Sequence, residues 1–257
     1  SLYIMRKSIY LTRKLDNNKE LKIMVNKKEN GAVELQNALN QSEAFVLKYK
    51  KALLIVVAAL AVAVAGFFLY RTYVYLPEEE KASTELAKGQ TLFSMEQFEV
   101  ALNGDKAGFS GFANIAKDHS GTDAGNLANL YAGLCCAQLN KWNDAVTYLE
   151  DYSPASDAMV SPAAIAALGN AYAHVGKVDE AISSLKKAAS KADDKAEGGA
   201  NNSLSPTFLL QAGQLLESQN KKAEALELYK DIKKKYQNSA LVQSQEIDKY
   251  IERASIQ

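Results

Sequence analysis

A chain of 257 residues with 30 Lys and Arg against 30 Asp and Glu has no formal charge excess, which argues against both a nucleic-acid binder and a polyanion. The balance hides an asymmetry: residues 1–51 hold 11 Lys and Arg against five acids, whereas residues 76–257 hold 18 against 25. Two cysteines, Cys135 and Cys136, are neighbours. On a helix they point about 100° apart, which argues against a mutual bond or a two-sided metal site and favours buried packing.

In chain order, residues 1–51 read as a basic tail, with Met24 as an internal alternative start. From there Val33, Leu35, Leu39, Val46 and Tyr49 fall roughly on one helical face, which fits either a short amphipathic helix or a weakly ordered tail. Ala52 to Tyr70 then runs 19 residues without a charge. As a helix it would span about 28 Å, the thickness of a hydrocarbon core. Lys48, Lys50 and Lys51 precede it, and Arg71 then Glu78, Glu79 and Glu80 follow it. The positive-inside rule therefore puts the N-terminus in the cytoplasm and exports residues 71–257. Phe67, Phe68, Tyr70, Tyr73 and Tyr75 supply interfacial aromatics at the far end. A cleaved signal peptide competes, with small-x-small sites at Ala61 to Ala63 and Ala63 to Ala65. The long segment before the run and its continuation through Phe67, Phe68 and Leu69 favour an uncleaved anchor, and both readings export the body.

Beyond the run, Glu78 to Ala101 and Gly111 to His119 read as a poorly matching helix pair, with Phe109, Phe112 and Ile115 packing on a helix that begins near Thr122. Three similar units follow. The clearest places Ile165, Leu168, Gly169, Tyr172, Gly176, Ala181, Leu185 and Ala188 at the spacing of the tetratricopeptide repeat, which it resembles at all but the last signature position, where Asp193 replaces a proline. Gly133, Cys136, Asn140, Trp142, Ala145 and Leu149 mark the unit before; Leu209, Ala212, Gly213, Leu216, Asn220, Ala225 and Tyr229 mark the unit after. Small residues are expected where paired helices cross closely, with Gly176 closing the first helix of its unit. The insertion at residues 191–202 reads as a solvated loop, and Ser161-Pro162 and Ser205-Pro206 as serine caps followed by proline. Ser239 to Ala254 reads as a capping helix facing inward through Leu241, Ile247, Tyr250 and Ile251.

The chemistry of a catalyst is missing from these patterns. His119 and His174 are isolated, Asp193-Asp194 and Glu150-Asp151 read as solvated charges, and Gly198-Gly199 lacks the lysine and hydroxyl of a phosphate loop. Lys233 to Lys235 complement a helix C-terminus. No catalytic, cofactor-binding or metal residue is expected.

The expected fold is all-α, a single N-terminal transmembrane helix followed by a tetratricopeptide-repeat α-solenoid, divided as a tail at 1–51, the anchor at 52–70 and the repeat body at 71–257. By resemblance to that repeat, a protein-binding groove is lined by Leu127, Leu130, Leu134 and Gln138, by Asn170 and His174, and by Leu210, Gln214 and Glu217. These positions hold no Lys or Arg, so the basic clamp for a terminal carboxylate found in some relatives is absent, and an apolar or helical partner segment suits the groove better. The alternative is that the three leucines are buried against the upstream pair.

The order of elements, the lysine flank, Ser42 to Phe45, and Ala124 to Ala128 with Tyr131 to Gly133 resemble the YfgM-like single-pass bacterial proteins. The resemblance implies an inner-membrane protein with a periplasmic body, assisting protein export beside the Sec translocon and a membrane-anchored periplasmic chaperone. A different class of function, an envelope-assembly adaptor reaching toward cell-wall or outer-membrane machinery, fits the same architecture. Partners on either reading are proteins, with no nucleic acid and no small-molecule substrate.

Overall fold

The computed structural model describes residues 47–256. The internal start at Met24, the amphipathic pattern from Val33 to Val46 and the segment Ser42 to Phe45 lie outside them. The chain divides into two units, residues 1–69 and 70–257. In the first, residues 47–69 belong to α1 (residues 47–70), whose side chains are exposed all round. Its Ala- and Leu-rich sequence favours the helix, and with apolar residues on every side it has no face suited to water. Among the described residues it lies in the one helix long and apolar enough to cross a membrane.

The second unit opens with a π turn, Arg71–Tyr75, and continues through α2 (Leu76–Ser94), α3 (Phe98–Asn103), α4 (Phe112–Asp118), α5 (Asp123–Gln138), α6 (Trp142–Asp151), α7 (Val160–His174), α8 (Val178–Asp194), α9 (Ser205–Ser218), α10 (Lys222–Lys235), α11 (Ala240–Gln243) and α12 (Glu246–Ser255). Pairs α5–α6, α7–α8 and α9–α10 pack against each other in sequence, and α12 closes on α10. No strand occurs among the described residues.

Glycine–alanine spacing organises this stack. Gly133 and Ala145, Gly169 and Ala181, and Gly213 and Ala225 are each twelve residues apart, and all three alanines are fully buried. A Cβ on Gly169 would lie 3.0 Å from Leu185 Cγ and 3.1 Å from the Ala181 carbonyl oxygen; on Gly133 it would meet Leu149 at 2.6 Å, and on Gly213 the Tyr229 ring at 2.2 Å. At Gly133 and Gly213 even a methyl group would force a neighbour to shift, and at Gly169 the neighbours would have to give by a few tenths of an ångström. Each pair turns through a left-handed residue, Asn140, Gly176 or Asn220, followed by an amide that donates back to the first helix: Lys141 to Cys136 O, Lys177 to Tyr172 O and Lys221 to Leu216 O. These are Schellman-type closures, and glycine and asparagine tolerate the positive φ they need.

The upstream pair is a fourth copy of this unit. Gly89 and Ala101 keep the same spacing, Glu96 takes the left-handed position at φ 58°, and the Gln97 amide donates to Leu92 O. The expected helix from Glu78 to Ala101 is therefore two helices broken by that turn. The second is too short to supply the side chain that Leu149, Leu185 and Tyr229 supply elsewhere. Phe112 from α4 fills the place instead, 2.5 Å from where a Gly89 Cβ would be. Its ring stacks on Tyr131 of α5 at 5.1 Å, and Phe93 meets both Phe98 and Tyr131 edge-on.

Three other expectations are corrected. Ser161 and Ser205 are fully buried within the first helical turn and cap nothing. The amides of Met159, Val160 and Ser161 are accepted by the Asp157 carboxylate, which does the capping for α7. The insertion begins later than residue 191, because α8 continues through Asp194. The final helix is split into α11 and α12 by Gln245, at φ 61°.

Candidate groove and a buried carboxylate

The groove positions expected on α5, α7 and α9 differ in what they can offer a partner. Leu130 is 6% exposed and belongs to the core; Leu127 and Leu134 are half-buried and pack against the same core cluster. The three leucines are thus wholly or partly drawn into a core that runs from α2 to α7. Leu210 likewise packs on the second core cluster. His174 is exposed at its edge, but its ring lies flat on Trp142, with centroids 3.6 Å apart and planes 2° apart. Glu217 is ion-paired to Arg253 of α12, whose guanidinium sits 4.9 Å from the Tyr250 ring centre, so this carboxylate fastens the cap. Gln138 and Gln214 are exposed and Asn170 is half-buried; among the described residues their amides have no hydrogen-bond partner.

The first repeat adds positions that the earlier register missed. At the offset of Leu134, Asn170 and Gln214 from their glycines, α2 carries Gln90, again with an unpartnered amide among the described residues. Three of four repeats therefore hold an uncharged amide at one register position, and Gly89 twelve before Ala101 was the signal that could have shown it.

A second polar centre lies away from these positions. Asp193, read as a solvated charge, is 7% exposed. Its Oδ1 accepts from the Asn201 amide at 2.8 Å and Ser205 Oγ at 2.7 Å, and its Oδ2 from Lys235 Nζ at 2.5 Å and Tyr236 Oη at 2.6 Å. Burial by itself would raise this carboxyl. Hydrogen bonds from Lys235, Ser205, Tyr236 and the Asn201 amide outweigh it and hold the group below the ordinary aspartate value. The cavity beside it, about 580 Å³, is also lined by Lys186, Ser190, Asp194 and Leu209. With its oxygens saturated, Asp193 ties α8, the following loop, α9 and the end of α10 together. Glu150 is likewise engaged, accepting from Tyr172 Oη at 2.5 Å.

Both cysteines are buried thiols, and among the described residues no group of three or more His, Cys, Asp and Glu could hold a metal ion.

A family model, the tetratricopeptide repeat, matches residues 164–197, the unit formed by α7 and α8. No curated protein matches the chain. Among solved structures, the kinesin light chain nearly identical TPR-like repeats from Podosopora anserina are similar at 12% identity, covering 68% of this chain and 94% of that one with a TM-score of 0.47. A point-substituted form of the same protein gives 12%, 68%, 93% and 0.48. The chain is thus all-α, with a long apolar helix followed in sequence by tetratricopeptide-like helical repeats.

Proposed function

We propose that this protein is a non-enzymatic interaction scaffold, tethered to a membrane by residues 52–70 and presenting its repeats to partner proteins on the exported side. The observation that carries the reading is the pairing of an apolar, membrane-length helix with a tetratricopeptide-type body in one chain. Lys48, Lys50 and Lys51 before the run and the acidic character of residues 76–257 support the exported side. The resemblance to YfgM-like proteins supports a bacterial inner membrane, a periplasmic body and a place beside the Sec translocon and its chaperone.

The docking face in this reading centres on Gln90, Gln138, Asn170 and Gln214. An amide at one register position in three of the four repeats, with Gln138 at a different offset in the remaining one, has donors and acceptors to offer. A helix has already satisfied its own backbone, so an extended, uncharged segment is the better complement. This revises the expectation of an apolar or helical ligand, because the leucines behind it serve the core.

A photo-crosslinking residue at Gln214 or Gln138 in the full chain, followed by mild detergent extraction and affinity purification, tests the proposal. Crosslinks to translocon or chaperone subunits or to exported chains are expected. Enrichment of cell-wall or outer-membrane assembly proteins would move the assignment to the envelope adaptor. Recovery of no protein partner would overturn the scaffold reading. Replacing Asn170 and Gln214 by Ala should reduce capture at least several-fold while leaving the melting temperature unchanged.

A further inference from the structure

Apart from one stretch, the surface of the second unit carries few large apolar side chains: Met95, Met159, Val160 and Ile256 are exposed and scattered along the chain. The exception is its first turn and a half, where Tyr70 is 59% exposed, Tyr73 75%, Val74 48% and Leu76 45%. Tyr75, between them, is half-buried beside Asp123 and Glu79, so the body-facing row of α2 begins there, and Tyr70 to Val74 before it are all exposed. A contiguous apolar segment of this kind on a soluble surface marks something that covers it.

The charges around it are sorted. Arg71 is exposed, with no partner among the described residues. Of the acidic residues that follow, Glu78 meets His119 Nδ1 at 3.0 Å and Glu79 accepts from the Asp123 amide at 2.7 Å and the Ala124 amide at 3.1 Å, while Glu80 is exposed. Arg71 is the one charged side chain between Tyr70 and Leu76, set among three tyrosines. The backbone of the turn is also closed, since the Leu76 amide donates to Arg71 O. A segment with satisfied peptide groups, tyrosines and an arginine has the chemistry of a bilayer's headgroup layer.

We propose that Tyr70 to Leu76 is seated in that layer, with Tyr70, Tyr73, Val74 and Leu76 at the boundary of acyl chains and headgroups and Arg71 toward lipid phosphates. The proposal rests on the tether reading, and chain length agrees with it. Residues 52–70 are long enough to fill a hydrocarbon core of about 30 Å, and Tyr70 to Leu76 follow directly in sequence, so the headgroup layer is what they reach next. The structure also removes Tyr75 from the aromatic set expected there.

Depth-dependent fluorescence quenching tests this. The full chain, with Trp142→Phe so that one reporter remains, is reconstituted into phosphatidylcholine–phosphatidylglycerol vesicles containing acyl chains brominated at shallow or deep positions. Three single reporters are compared: Ile55→Trp, Tyr73→Trp and Ser83→Trp. Tyr73→Trp should lose emission mainly to shallow bromines, Ile55→Trp to deeper ones, and Ser83→Trp to neither. Arg71→Glu should weaken quenching at position 73 and leave that at position 55 unchanged. A reporter at 73 that behaves like the one at 83, while the one at 55 is quenched, overturns the interfacial seat alone. No quenching at position 55 overturns the tether reading and this inference with it.

Discussion

Asp193 is the residue whose role is hardest to reconcile with its place in the chain. It stands where the repeat pattern has a proline, yet four donors converge on it. Removing one side of a buried, bonded charge leaves the others uncompensated, so Asp193→Ala should lower stability by about 3 kcal/mol, read from denaturant unfolding. Tyr236→Phe, which deletes one bond to a charged acceptor, should cost about 2 kcal/mol. Because the folded carboxyl titrates below its ordinary value, its contribution is complete above the unfolded aspartate pKa of about 3.9 and is lost as pH falls from there through the folded value. Melting temperatures taken across that range should fall more steeply for the wild type than for Asp193→Asn; parallel curves would show that the network contributes nothing to acid sensitivity. Cys135 and Cys136 behave oppositely. Burial pushes the first thiol up to about 12 and the second to about 11, so at neutral pH there is almost no thiolate to react. Native protein should resist N-ethylmaleimide, as read by mass, and take up two equivalents once unfolded.

At the scale of elements, the glycine–alanine crossings set the spacing of the stack. Gly169→Leu places a branched side chain against Leu185 and the Ala181 carbonyl, and should destabilise the body by about 3 kcal/mol. Gly89→Leu should do the same through Phe112, and an unchanged melting temperature there would remove α2 and α3 from the repeat series. The units from Gly133 onward were legible in the sequence because both helices of each are long enough to carry their signature. The first unit was not. Its second helix stops at Asn103, and Phe112 reaches Gly89 from a separate helix, so the packing partner no longer sits at the repeat offset. The serines before Pro162 and Pro206 misled for a related reason. Ser205 bonds Asp193 from the preceding helix and Ser161 bonds Asp157, which takes over the capping from four residues upstream, so a serine before a proline looks like a cap without being one.

For the whole molecule, the sharpest prediction concerns sidedness. Protease added to the outside of spheroplasts should digest residues 76–257, and the same treatment of inverted vesicles should spare them; the reverse pattern would invert the proposed topology. The sequence by itself determined the all-α class, the apolar membrane-length helix and three of the repeat units. Each of these follows from periodicity and from small residues at fixed spacing, which are local properties of the chain. The expected groove positions follow from repeat register alone. Which side chains remain without a hydrogen-bond partner among the described residues, as at Gln138, Asn170 and Gln214, and which are consumed, as at Glu217 by Arg253, His174 by Trp142 and Leu130 by the core, was decided by the tertiary structure. A side chain's availability depends on what other helices bring to it, and those neighbours lie tens of residues away in sequence.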